Sequence, residues 1–119
     1  MLLHLSTRTS GDAMIVDCTG KIVYSEEAVA LRTYVTGLLN QHHRIVLDLS
    51  GVTRIDSHGI GTMVGLWATA RKNGGDLKLA ALSNSVQDSF TIARLVSLFS
   101  TFETAEQAAA SFAAPETVA

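Results

Sequence analysis

The stretch Arg44-Ile-Val-Leu-Asp-Leu-Ser-Gly-Val-Thr-Arg-Ile-Asp-Ser-His-Gly-Ile-Gly61 carries the reading of this chain. Its first part contains Ile45-Val46-Leu47, an apolar run without the alternation of a half-buried strand, which predicts a strand covered on both faces. The strand is expected over 44–49, with a break at Ser50-Gly51 before Val52 to Ile55 leads into Asp56-Ser57. Beyond this connection a helix is predicted from about Gly59 to Asn73, with Ile60, Met63, Val64 and Trp67 on one apolar stripe. Gly61, Gly65 and Ala68 form a line of small residues beside that stripe, expected to let the helix lie close to the sheet. Ser57 then stands at a helix N-terminus, where unpaired N–H groups and a partial positive charge favour an anion. Two readings are open: Ser57 as a plain N-cap, and Ser57 as a place to put a phosphate.

Outward from this stretch, strands alternate with helices. Residues 2–9 read as a strand with Leu3 and Leu5 on one face, Ser10-Gly11-Asp12 as a turn, and 13–19 as the returning strand of a hairpin. Ser25 followed by Glu26 and Glu27 has the form of a capped helix start, and Ala28, Leu31, Val35 and Leu38 recur at helical spacing over 26–39. On the other side, Gly74-Gly75 stops the second helix, and Leu77, Leu79 and Ala81 alternate with Lys78 in a strand over 76–82. Ser83-Asn84-Ser85 caps a short helix with Val86, Phe90 and Ala93 inward, and Leu95 to Leu98 adds a turn. A last short strand at 100–102 and an alanine-rich helix over 103–112 complete the domain, and 113–119 reads as a frayed tail. The expected class is α/β: a mixed four- to five-stranded sheet with an N-terminal antiparallel hairpin and about four helices, one domain over 1–112.

Composition narrows the function. The chain has 119 residues, 47% hydrophobic and 17% charged, which suits one domain with a real core. A net charge of −2 with no basic cluster argues against nucleic-acid binding. The single Cys18 can form no internal disulfide. Met1-Leu-Leu-His-Leu5 lacks a basic n-region, and the apolar window 60–70 is too short to span a bilayer, so a soluble, cytoplasmic protein without membrane insertion is expected.

Asp56-Ser57-His58 contains the letters of a hydrolase triad, but a triad needs side chains converging from separate backbone positions, and no Gly-x-Ser-x-Gly elbow is present. Asp56 either faces a partner or caps the N–H groups of its own loop. His42-His43 lacks a third ligand nearby and reads as loop, so neither metal nor other cofactor is expected. Trp67 and Cys18 read as core.

Four segments together resemble the STAS domain of bacterial anti-sigma factor antagonists. They are Ile45-Val-Leu-Asp-Leu49, Ile55-Asp-Ser-His-Gly-Ile-Gly61, Gly74-Gly-Asp-Leu-Lys-Leu79, and Ile92-Ala-Arg-Leu-Val-Ser-Leu-Phe-Ser-Thr-Phe102. The resemblance covers roughly 2–112. It implies that a partner kinase phosphorylates the serine after the aspartate, here Ser57. It implies further that the unphosphorylated protein binds this anti-sigma serine kinase, so freeing a sigma factor. On that reading Asp56, His58 and Gly59 shape the recognition loop, with Lys21 and Val23 near the contact face of a monomer. Two positions depart from the family pattern. His58 replaces its second hydroxyl residue, and Gly20-Lys-Ile-Val23 replaces Gly-Glu-Leu-Asp, so two acids are gone and one is now a cation. The resemblance also admits a second function, a constitutive binding subunit of the kind found in lipid-transport ABC systems, with no phosphoswitch.

Overall fold

The computed structural model describes residues 2–113; of the segment 113–119, only the backbone of Ala113 falls within it. The elements run β1 (Leu3–Ser10), β2 (Ala13–Ile22), α1 (Tyr24–Leu39), β3 (Arg44–Ile55), α2 (Ser57–Lys72), β4 (Asp76–Ala80), α3 (Asn84–Ile92), β5 (Thr101–Phe102) and α4 (Ala105–Ala113). The strands form one sheet in the order β1-β2-β3-β4-β5. β1 and β2 are the antiparallel hairpin, and every later pairing is parallel.

Burial on both faces of β3 explains its uninterrupted apolar run. Ile45, Leu47 and Leu49 face α1, α2 and α3, packing with Leu31, Val35, Met63, Leu66, Val86 and Phe90. Val46 points to the other side, where Ile15 and Ala80 meet Ala105, Ala108 and Ala109 of α4. The three alanines let α4 lie close to the sheet. Its position is further tied by Arg8, which hydrogen-bonds Asp17 on β2, Asp48 on β3 and Glu106 on α4. Cys18 is buried, and desolvation pushes its thiol pKa up to about 12.

Several local expectations are corrected. Ser50-Gly51 does not break the strand, which runs unbroken to Ile55. Gly51 instead admits the irregular edge of β2: a Cβ there would stand 2.9 Å from the Cys18 carbonyl oxygen, where the β2–β3 register shifts. β4 ends at Ala80, because Ala81 takes a left-handed conformation with φ 59°. Ala93, expected inward, is exposed at the end of α3.

The largest correction concerns the glycines of α2. Gly61, Gly65 and Ala68 do not face the sheet; they are exposed, and a Cβ on either glycine would touch nothing within 4 Å. The close approach is made by Gly59, which is buried, and whose Cβ would lie 2.5 Å from the Ile22 carbonyl oxygen and 2.7 Å from Ile55 Cγ1. Gly59→Ala is therefore expected to cost about 1–3 kcal/mol through overpacking against backbone that cannot yield. Gly65→Ala is expected to stabilise by up to about 1 kcal/mol, since it only relieves the helix penalty of glycine. Urea denaturation of the two variants checks the opposite signs.

Candidate functional site

The site lies where β2 and β3 deliver the chain into α1 and α2. β2 and β3 are parallel neighbours, so both helices start at the same edge of the sheet. Between those starts sits Asp56. Its backbone is extended (φ −116°, ψ −173°), its N–H donates to the Ile22 carbonyl (3.2 Å), and its own carbonyl accepts from Ile60 (3.0 Å). Its carboxylate serves both helices. Oδ1 accepts the N–H groups of His58 (3.0 Å) and Gly59 (3.2 Å) at the start of α2, and Oδ2 accepts the Tyr24 N–H (2.8 Å) at the start of α1.

This one carboxylate revises both predicted helix starts. The cap of α2 is Asp56, so Ser57 is the first helical residue and not the N-cap. α1 begins at Tyr24, one residue before the expected Ser25 cap; its N-cap position, Val23, supplies no side-chain bond. Tyr24 is the residue that sequence reasoning missed. It is 64% exposed and left-handed, with φ 63°, a conformation costing on the order of 1–2 kcal/mol for a residue with a Cβ. The compensating acceptor lies 32 residues away in the chain, so no local signal marks it. Burial raises the Asp56 pKa, but the N–H donors of Tyr24, Gly59 and His58 together with the His58 ring outweigh it, and the carboxyl is held below its usual range.

With the cap supplied by its neighbour, Ser57 is exposed, and its hydroxyl enters no hydrogen bond among the described residues. His58 is exposed too, with Nδ1 3.4 Å from Asp56 Oδ2. No hydrogen bond joins the imidazole to the Ser57 hydroxyl, so the triad letters do not assemble into a Ser–His–Asp relay. Gly59 belongs to the packed floor of the site and not to its contact face. Val23, expected near the contact face, is only 5% exposed and supports the connection from below. Lys21 is exposed and alternates with the buried Ile22, so it projects from the opposite side of the sheet. It is the register partner of Arg54, also exposed, and neither cation has a carboxylate within 4 Å among the described residues.

Beside Ser57 an open groove of about 410 Å³ runs between α1 and α2. Arg32 and Thr36 line one wall, Ser57, His58 and Thr62 the other, and the bare backbone at Gly61 and Gly65 leaves it open. A larger cleft of about 740 Å³ lies at the far end of the sheet, by His43, Arg44, Arg71 and Lys78, and none of the motif residues reaches it. Its acids are engaged: Asp12 pairs with Arg44 at 3.1 Å and Asp76 with Arg71 at 3.3 Å.

Asp56→Ala is expected to destabilise the protein at pH 7 by about 1–2 kcal/mol, the value of a side-chain cap. Because the folded-state pKa is depressed, the contribution is complete above the ordinary aspartate pKa of about 4 and fades as pH falls below it. Denaturant unfolding at pH 7 and pH 3 should therefore show a gap between wild type and Asp56→Ala that narrows in acid.

Comparison with known proteins places this geometry. The family model for the STAS domain matches residues 4–108. The anti-sigma-B factor antagonist of Bacillus subtilis is 32% identical over 96 residues, covering 80% of this chain and 86% of that protein. The crystal structure of an anti-sigma factor antagonist from Mycobacterium paratuberculosis superposes with a TM-score of 0.83 at 17% identity, covering 94% of this chain and 95% of the other. The Bacillus cell fate determinant SpoIIAA in its phosphorylated form gives a TM-score of 0.70 at 16% identity, covering 92% and 98%. The α/β sandwich with its antiparallel hairpin, four helices and Asp-Ser connection thus belongs to a STAS-domain protein of the anti-sigma factor antagonist family.

Proposed function

We propose that this protein acts in the cytoplasm as an anti-sigma factor antagonist by partner switching, and that Ser57 is its phosphoacceptor. One observation carries the reading. The serine at the start of α2 is relieved of the capping role by Asp56, and so is exposed with its hydroxyl uncommitted. A serine that caps its own helix holds its hydroxyl against the backbone of the first turn; Ser57 does not, and its oxygen is open to a kinase.

The unphosphorylated face binds an anti-sigma serine kinase, which supplies ATP and the catalytic groups, and this chain acts as the binding partner and not as an enzyme. Phosphorylation adds about −1.5 to −2 charges at pH 7. The N-terminus of α2 tolerates that charge, and the fold around the rigid Asp56 bridge has no need to change. A partner surface matched in shape and charge to the neutral serine is repelled and desolvated unfavourably, so binding is lost. Asp56 and His58 frame the recognition loop, while Lys21 with Arg54 gives the other side of the sheet a positive character that a partner reaching around its end would meet.

Two measurements test the reading. Intact-mass analysis of the protein from its own cells is expected to show a single phosphate, removed by phosphatase and absent in Ser57→Ala. Ser57→Asp is expected to keep the fold by circular dichroism and to bind the cognate kinase at least tenfold more weakly, a change of about 1.4 kcal/mol. Unchanged affinity of Ser57→Asp, with no phosphate under any growth condition, would overturn the switch in favour of constitutive binding.

A further inference from the structure

We propose that Arg32 is the internal receiver of the Ser57 phosphate, so that phosphorylation turns the groove between α1 and α2 from an open partner surface into a filled, charge-compensated one. The proposal rests on Ser57 as phosphoacceptor and adds where the phosphate goes.

Three observations converge on it. Arg32 stands on α1 and Ser57 on α2, yet both line the same groove of about 410 Å³, which has room for a phosphoryl group together with waters. Arg32 is exposed and, among the described residues, has no carboxylate within 4 Å, unlike Arg8, Arg44 and Arg71. The path between the two is clear. Gly61 follows Ser57 by one helical turn and presents no side chain, with nothing within 4 Å of where its Cβ would be.

Helix geometry favours the meeting. α1 and α2 follow parallel strands, so they start at the same end of the sheet. Arg32 lies eight residues beyond Tyr24, about 12 Å along α1, whereas Ser57 opens α2. A helical side chain leans toward its own N-terminus, so the long guanidinium arm covers part of that offset and the phosphoester the rest. A guanidinium presents paired N–H donors that match a phosphate oxygen edge, a geometry that a lysine does not provide. His58 also lines the groove, with its Nδ1 turned to Asp56, so that its other ring nitrogen is the second group able to meet the phosphate. Partner exclusion then has a local cause: a kinase side chain seated in the groove competes with the tethered phosphate for Arg32.

The test places phosphoserine at position 57 during translation, by codon reassignment, so that loading does not depend on any kinase. The secondary pKa of the phosphate is then followed by phosphorus NMR titration at 0.1 M salt in the phosphorylated wild type, Arg32→Gln and Lys72→Gln. Lys72 is an exposed cation at the far end of α2, and its loss controls for net charge. A nearby guanidinium favours the dianion, so Arg32→Gln should raise the phosphate pKa by about half a pH unit, with Lys72→Gln unchanged. No change in Arg32→Gln, or equal changes in both variants, would overturn the proposal. Failure of the phosphoswitch itself would be seen separately, as a Ser57 that no kinase modifies in cells.

Discussion

A single carboxylate holds the working end of this molecule together. Asp56 accepts N–H groups from the first turns of two helices that are far apart in the chain. The arrangement resolves a general difficulty of parallel α/β layers, in which neighbouring helices begin side by side and each exposes unpaired donors. The positive ends of two helices share one negative charge, which is favourable to both. It also sets the relation between α1 and α2, and so the groove that separates them. The left-handed Tyr24 stands at the same junction, donating its N–H to the Asp56 carboxylate while the Ile22 carbonyl accepts from the Asp56 N–H.

The bridge also leaves a neighbour free: since Asp56 does the capping, Ser57 carries no capping bond and stays exposed. The glycines of α2 divide along the same line. Gly59 lets the helix rest on Ile22 and Ile55, whereas Gly61 and Gly65 contribute nothing to packing and hold the groove open. Both lower helix stability relative to alanine, and both line the groove beside Ser57. Lys21 and its register partner Arg54 place two exposed cations on the other side of the sheet from the buried Ile22.

The architecture was written plainly in the amino-acid order. An apolar run that does not alternate, at Ile45-Val46-Leu47, demands cover on both faces, and helical spacing on either side supplies it. The alternation of Leu77 and Leu79 in 76–80 and the alanines of 105–109 were equally readable, because each set packs as one face of its element against the core. The Asp-Ser motif and its place between strand and helix could likewise be located without coordinates, since strand and helix periods change there.

Only the tertiary structure decided which of two adjacent residues caps the helix, which glycines pack and which stay open, and that Val23 is buried while Tyr24 is exposed. Each of these depends on a group distant in sequence: the Tyr24 N–H for Asp56, the Ile22 carbonyl for Gly59, the irregular edge of β2 for Gly51. Periodicity records whether a residue faces the core, but not which atom it meets there. The sequence by itself thus determined the layers and the motif, while the hydrogen bonds that release Ser57, and the groove that it shares with Arg32, arise only when separate segments are packed together.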